Sequence, residues 1–280
     1  MAKKKEIKPF PTFLSVILLL AFLGAMVVFV VYVVTPMGTS DVSHVDSLGE
    51  QSFEAESSIE PPPPSVAKVK EYMSDADVGD VVTFGKYEQN GVSDDGKEPI
   101  EWVVLDEDEE SLLLISRYCL DCKPYNETST DVDWNDSTLR AWLNGDFYNN
   151  AFSSKEKEGI VVYDEMAQVD GVSEAYTISI SDKVTILSAS LAKDYYEYDS
   201  WRACAATEYA KANGARVEND YTWWWLRSFE KSSDKSYYVY FNGSIRGEFT
   251  VDYGIVAVRP VIRVSADAEK ESEMSDTVSE

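Results

Sequence analysis

The sequence predicts an α+β domain with a strand-rich C-terminal part, preceded by one transmembrane helix. Three features carry that expectation. Phe13 to Val34 is an unbroken apolar run, a Pro-, Ser- and acid-rich segment follows it, and the body beyond mixes short helix signals with aromatic and β-branched strands.

The apolar run holds about 22 residues, roughly 33 Å of helix, enough to cross a hydrocarbon core of about 30 Å. Lys3, Lys4, Lys5 and Lys8 precede it within a basic segment, 1–12, while Asp41, Asp46, Glu50, Glu54 and Glu56 follow. Positive charge stays on the cytoplasmic side, so the N-terminus is expected inside the cell and the rest outside. A cleaved signal peptide would have a shorter apolar stretch ending in a small-residue site. Val33-Val34-Thr35-Pro36 offers none, which favours a retained signal-anchor in the cell membrane over residues 13–34. Residues 35–76 read as a disordered stalk, extended by the polyproline run Pro61 to Pro64, and 267–280 as an acidic tail.

The globular domain is expected over 77–266. Val81–Phe84 and Ile100–Leu105 read as strands, and an acidic turn from Asp106 to Glu110 leads into Leu112–Ile115 as a hairpin. A short helix starts at Ser137-Thr138-Leu139-Arg140 behind polar capping residues, and Ser153-Ser154-Lys155-Glu156 spells a capping box for another. Val184–Leu187 reads as a strand. Ser188 or Ser190 opens a helix through Tyr196, and the helix Thr207–Asn213 stops at Gly214. The last third reads as strands Trp223–Arg227, Tyr237–Phe241, Ser244–Phe249 and Val256–Val264, with a turn at Asn242-Gly243.

Composition narrows the function. Of 280 residues, 25 are Lys or Arg and 50 are Asp or Glu, a net charge of −25. The basic N-terminal segment makes the remainder more acidic still. That surface repels phosphate backbones, so no nucleic acid is expected as a partner. The only histidine, His44, lies in the stalk, which excludes histidine-based triads and metal sites in the body. Cys119, Cys122 and Cys204 are too few for a thiolate zinc site. Outside the cell a disulfide is the expected fate. Cys122 with Cys204 is preferred, since Cys119–Cys122 would close a very small ring.

The body resembles a bacterial domain family of unknown function that is common on exported proteins of Gram-positive bacteria. The resemblance rests on Pro99–Leu105, Leu120-Asp121-Cys122-Lys123-Pro124-Tyr125-Asn126, and Trp134 with Leu139-Arg140-Ala141-Trp142-Leu143-Asn144. It continues through Trp224-Trp225-Leu226-Arg227-Ser228 to Val258-Arg259-Pro260-Val261. The C-terminal part is also similar to C-type-lectin-like folds, including the branch shared with formylglycine-generating enzymes. That similarity implies a mixed domain whose late strands display a ligand surface. The formylglycine-generating activity does not carry over, because no cysteine follows Cys204.

Two regions stand out for ligand binding. In the strand Trp223-Trp224-Trp225-Leu226-Arg227, alternation puts Trp224 and Leu226 on one face and Trp223, Trp225 and Arg227 on the other. The first face is expected in the core. The second, with Tyr237, Asn242 and Arg246 nearby, is the candidate ligand surface. The alternative is that these residues only pack between layers. In the loop 131–136, Asp131, Asp133, Asn135 and Asp136 could offer oxygen ligands to calcium. Trp134-Asn135-Asp136 also matches a tripeptide of the C-type-lectin calcium site. Against calcium, Asp136 or Ser137 can simply cap the following helix.

The resulting expectation is a membrane-anchored extracytoplasmic binding domain for a polysaccharide or protein ligand, needing no cofactor unless calcium binds. Its rival is a membrane-tethered glycan hydrolase using paired carboxylates, with Glu101, Asp131, Asp133 and Asp136 as candidates.

Overall fold

The computed structural model describes residues 69–268, apart from Tyr72, Ser93, 169–176 and 230–232 and the side chains of 165–168, 177, 178 and Glu248. The basic segment, the apolar run 13–34, most of the stalk and nearly all of the tail lie outside the described residues. No helix among those described is long and apolar enough to cross a membrane.

The domain is α+β and strand-dominated toward its C-terminus. In chain order the strands are β1 (Val69–Lys70), β2 (Val81–Tyr87), β3 (Glu98–Glu107), β4 (Ser111–Ser116), β5 (Asp121–Cys122), β6 (Ile160–Val161), β7 (Tyr163–Gln168) and β8 (Thr177–Asp182). They continue with β9 (Val217–Glu218), β10 (Tyr221–Thr222), β11 (Trp224–Phe229), β12 (Lys235–Val239), β13 (Ile245–Thr250), β14 (Ala257–Val258) and β15 (Val261–Ser265). One sheet has the order β1-β2-β3-β4-β15-β6 and a second the order β13-β12-β11-β14-β5, while β7/β8 and β9/β10 form two-stranded ribbons.

Two short passages join the large sheets directly, from β4 to β5 and from β14 to β15. The passages run side by side. Ser116 N–H donates to the Pro260 carbonyl at 2.9 Å and Leu120 N–H to the Val258 carbonyl at 3.0 Å. A single strand over Val256–Val264 was the expectation. It is cut at Arg259-Pro260 because proline cannot donate to a ladder, and the two pieces pair in different sheets.

Strands β4 and β11 are buried on both faces. In β4, Leu112 and Leu114 enter one apolar core while Leu113 and Ile115 enter a second. In β11 and the residue before it, Trp223, Trp225 and Phe229 join the first core, and Trp224 and Leu226 the second.

Thr138–Trp142, a π turn over Leu143–Phe147 and Tyr148–Ala151 make one helical run. Ser137 caps it, its hydroxyl accepting from Arg140 N–H at 3.2 Å. The next helix, Ser154–Gly159, has the predicted capping box between Ser153 and Glu156. The other oxygen of Glu156 accepts from Gly85 N–H at 3.0 Å. Gly85 has φ +71°, and a Cβ there would lie 2.6 Å from the Phe152 ring, so no other residue fits. Helices Ala189–Tyr195 and Glu208–Ala212 begin at Ser188 and Thr207 as read, and Gly214 follows the second with φ +107°.

Val184–Leu187 is not a strand. Asn144 takes its hydrogen bonds instead: Oδ1 accepts from Lys183 and Val184 N–H at 2.7 and 3.2 Å, and Nδ2 donates to the Val184 carbonyl at 2.9 Å. Only Thr185 pairs with another strand, at Val261.

The domain also starts before Asp77, which corrects the stalk boundary. Val69 pairs in parallel with Val81, and Met73 and Ala76 are buried in the first core. At the other end Ala268 packs on that core, two residues past the expected limit. A chain of residues 69–268 should therefore unfold cooperatively. Starting at residue 77 instead should cost about 2–5 kcal/mol, the range for truncating a buried methionine. Equal urea midpoints for the two chains would show that β1 and Met73 add nothing.

Candidate functional site

Alternation along the tryptophan strand is as expected, but neither face is open. β11 packs between the two cores, and all of its residues from Trp224 to Phe229 are buried. Trp224 donates its indole N–H to the Arg202 carbonyl at 3.1 Å and Trp225 to the Lys123 carbonyl at 2.9 Å. Arg227 is buried, with Nη1 3.4 Å from the Ile186 carbonyl and its guanidinium 5.6 Å from the Tyr163 ring centre. Trp223, Trp225 and Arg227 are thus corrected from ligand surface to core. Tyr237 is half-buried over Gly247 and packs on the second core, away from Trp223. Asn242 is exposed, and its Oδ1 accepts from both the N–H and the hydroxyl of Ser244, at 3.1 and 2.7 Å.

Arg246 is the residue of that set that remains exposed over aromatic rings. Its guanidinium carbon stands 3.4 Å from the Tyr240 ring centre. Tyr240 in turn packs 4.9 Å from Trp223 and 4.5 Å from Phe241. Phe249 lies 5.5 Å from Trp223 and carries Tyr253 at 5.3 Å. The result is a tier of rings grading outward from buried Trp223, through half-buried Tyr240 and Phe249, to Tyr253, which is 53% exposed. Arg216 closes the other side, 4.7 Å from the Trp223 ring centre and bonded to Glu218 at 2.7 Å. The Trp223 indole N–H is buried without a hydrogen-bond partner.

Sequence reading missed Arg216 and Tyr253. The first was legible. Asn219 and Asp220 both have positive φ, 51° and 69°, forming a two-residue turn between β9 and β10. A tight turn between Val217-Glu218 and Tyr221-Thr222 is a hairpin signal, and it folds Arg216 back beside Trp223. Tyr253 had no such signal, because its exposure depends on how the segment after β13 leaves the sheet.

The acidic loop is bound into the fold. Asp133 accepts from Asp136 N–H at 3.2 Å, and Asn135 Nδ2 donates to the Ser179 carbonyl at 3.1 Å. Trp134 is buried and donates to Asp182 at 2.8 Å. Asp131 and Asp136 are exposed. Of the two capping residues offered by the sequence, Ser137 is the one used, and no three His, Cys, Asp or Glu side chains among the described residues gather around a common cation position.

The three cysteines are free and buried. The expected Cys122–Cys204 bond is not formed. Cys122 turns toward the Gly254 and Val256 carbonyls at 3.4 and 3.5 Å, and burial pushes its thiol up to about 12. Cys204 faces the Arg117 carbonyl and Cys119 instead.

Carboxylates also line an open cleft of about 650 Å³ between the start of β4 and β6–β7, which includes Asp108, Glu110, Asp164 and Arg263. Asp108 accepts from Glu110 and Ser111 N–H at 2.9 and 2.8 Å and pairs with Arg263 at 2.9 Å. These bonds, the one from Glu110 foremost, hold its carboxyl below the usual carboxylate range, the opposite of what a general acid needs. Glu101 is tied to Arg117 at 2.6 Å.

Residues 109–266 match a family described as Domain of unknown function (DUF6273), and the chain belongs to that family. The match begins in the turn between β3 and β4, so the Pro99–Leu105 stretch falls outside it, although β3 pairs with β4 along most of its length. No curated protein and no solved structure matches the chain.

Burial on both faces of β11 makes a direct prediction. Trp224→Ala and Trp225→Ala should each lower stability by about 3–5 kcal/mol, the cost of emptying a tryptophan-sized core position. Chemical denaturation measures this, and an unaltered melt for Trp225→Ala would mean that its face is open after all.

Proposed function

We propose that the domain is a binding module displayed on the outer face of a bacterial cell membrane by the N-terminal helix, and that its ligand is a polysaccharide. The observation that carries this reading is the graded aromatic tier flanked by Arg216 and Arg246. Half-exposed rings offer flat apolar faces on which the C–H faces of sugar rings stack. Exposed arginines beside them suit hydroxyl or anionic substituents. Aromatic and arginine side chains are also where interface energy concentrates. A C-type-lectin-like architecture, with late strands presenting the ligand, fits the position of the tier on β12, β13 and the segment after them. The hydrolase reading has weaker support, because Asp108, the cleft acid with the most partners, is held ionised.

Glycan-array profiling of residues 69–268, followed by titration of the best polysaccharide, tests the reading. Tyr253→Ala and Arg246→Ala should each weaken binding about tenfold, equivalent to about 1.4 kcal/mol. Being exposed, both should leave stability within about 0.5 kcal/mol of the parent. Binding that survives both changes would move the site off the tier. The display is tested separately. Protease added to intact cells should remove the domain while residues 1–34 stay in the membrane fraction, and a mature chain beginning near Thr35 would overturn the anchor.

A further inference from the structure

Cys119 and Cys204 sit on neighbouring extended segments in the second core. Cys119 N–H donates to the Ala205 carbonyl at 2.9 Å and its carbonyl accepts from Thr207 N–H at 3.0 Å, so Cys119 pairs in parallel with Ala206. Cys204 is two residues before Ala206 and points to the same side of its segment. The Cys204 Sγ lies 3.5 Å from the carbonyl of Arg117, two residues before Cys119, and the two cysteines, Cys119 and Cys204, are 0% and 3% exposed. Arg259 lies beside both, buried, with Nε bonded to the Ser116 carbonyl at 3.0 Å and Nη1 unpartnered. Cys122, the third thiol, is occupied elsewhere with the Gly254 and Val256 carbonyls.

We propose that Cys119 and Cys204 form a disulfide when the domain folds in contact with a disulfide oxidant, and that Cys122 remains a thiol. One S–S bond forms and two S–H bonds break. The oxidant is a small-molecule disulfide such as oxidised glutathione: its S–S bond breaks, it takes up the two electrons, and the two protons from the cysteines end on its two thiols. Burial prevents attack in the closed domain, so exchange takes place while the passage from β4 to β5 is still open. The bond would join that passage to the segment before β9, closing a long stretch of chain.

Arg259 gives this bond a distinct character. Burial raises the Cys119 thiol. Burial opposes ionisation of Cys204 as well, but the Cys119 hydrogen bond and the Arg259 charge bring it down to about 7. A cation that favours the thiolate favours the reduced state, so the disulfide should be more easily reduced than one lacking a charged neighbour. This inference is independent of the ligand reading.

The test uses the full-length chain purified in detergent. It is opened with urea and returned to buffer over a series of oxidised-to-reduced glutathione ratios. Remaining thiols are then alkylated and the chain is digested. Cleavage before Asp121 separates Cys119 from Cys122 and makes the two partners distinguishable. The expected product links the fragments containing Cys119 and Cys204, with Cys122 alkylated. Cys122→Ser should give the same link and a melting temperature that falls on reduction. Three alkylated thiols at the most oxidising ratio, or a link through Cys122, would overturn the proposal.

Discussion

The double passage of the chain between its two sheets is the constraint on which the rest of the domain depends, and Arg259 sits at its centre. β4 and β15 are neighbours in the first sheet, and β5 and β14 are neighbours in the second. Each pair must therefore leave one sheet and enter the other together. Extended backbone that changes sheets loses ladder partners, and buried backbone groups without partners are costly. Here the passages serve each other through Ser116 N–H and the Pro260 carbonyl, while the freed Ser116 carbonyl accepts from Arg259. The guanidinium also lies 5.2 Å from the Trp224 ring centre, so a side chain of the second sheet backs the corner. Pro260 breaks the strand, and Arg259 fills the space that the break opens.

The other stretches behind the family resemblance act in the same structural way. Tyr125 donates its hydroxyl to the Arg227 carbonyl at 3.0 Å, and Trp225 reaches the Lys123 carbonyl, so the 120–126 stretch and β11 hold each other. Arg140 Nε and the Trp134 indole both meet the buried Asp182 carboxylate, at 2.6 and 2.8 Å. Asn144 replaces a neighbouring strand for Lys183 and Val184. Leu-Arg-Ala-Trp-Leu-Asn is thus a helical stretch that anchors the segment after β8. The residues of the aromatic tier, namely Arg216, Trp223, Tyr240, Phe241, Arg246, Phe249 and Tyr253, lie outside these stretches. The motifs specify a frame, and the exposed surface is built from other residues.

This division explains what the sequence made legible. Local chemistry read correctly: the capping box at Ser153, the Ser188 and Thr207 caps, the stop at Gly214 and the alternation of Trp223 to Arg227 all rest on neighbours in the chain. What failed was the inference from alternation to exposure. Arg227 marked its face as the polar one, yet a strand between two cores has no solvent face, and its arginine bonds the Ile186 carbonyl and lies over a ring. Whether a strand's second face is open depends on what packs over the sheet, which period-2 patterning does not encode. The strand expected at Val184–Leu187 failed for a related reason: its hydrogen bonds are taken by Asn144, about 40 residues earlier in the chain. The cysteine pairing failed because loop length argued against Cys119–Cys122, but only the parallel pairing of Cys119 with Ala206 distinguishes Cys119 from Cys122 as the neighbour of Cys204.

Charge placement gives the tier its significance. Among the described residues Arg202, Arg227 and Arg259 are buried, and they are bound largely by main-chain carbonyls. The buried carboxylates Asp121 and Glu156 are held instead by neutral donors, Tyr87 and Asn213 for the first and main-chain N–H groups for the second. Partial charges of the frame thus satisfy most of these ions, and several of the few cations in a very acidic chain are withdrawn from solvent. Asp182 is buried too, so three carboxylates offset the three arginines and burial leaves the surface as acidic as the composition implies. Against it, exposed Arg216 and Arg246 on either side of one aromatic tier form a local exception. A guanidinium gains from lying over ring faces, whose electron-rich centres attract it independently of any carboxylate partner. The same arrangement leaves two exposed guanidinium groups beside the rings, and the proposed polysaccharide reading rests on that combination.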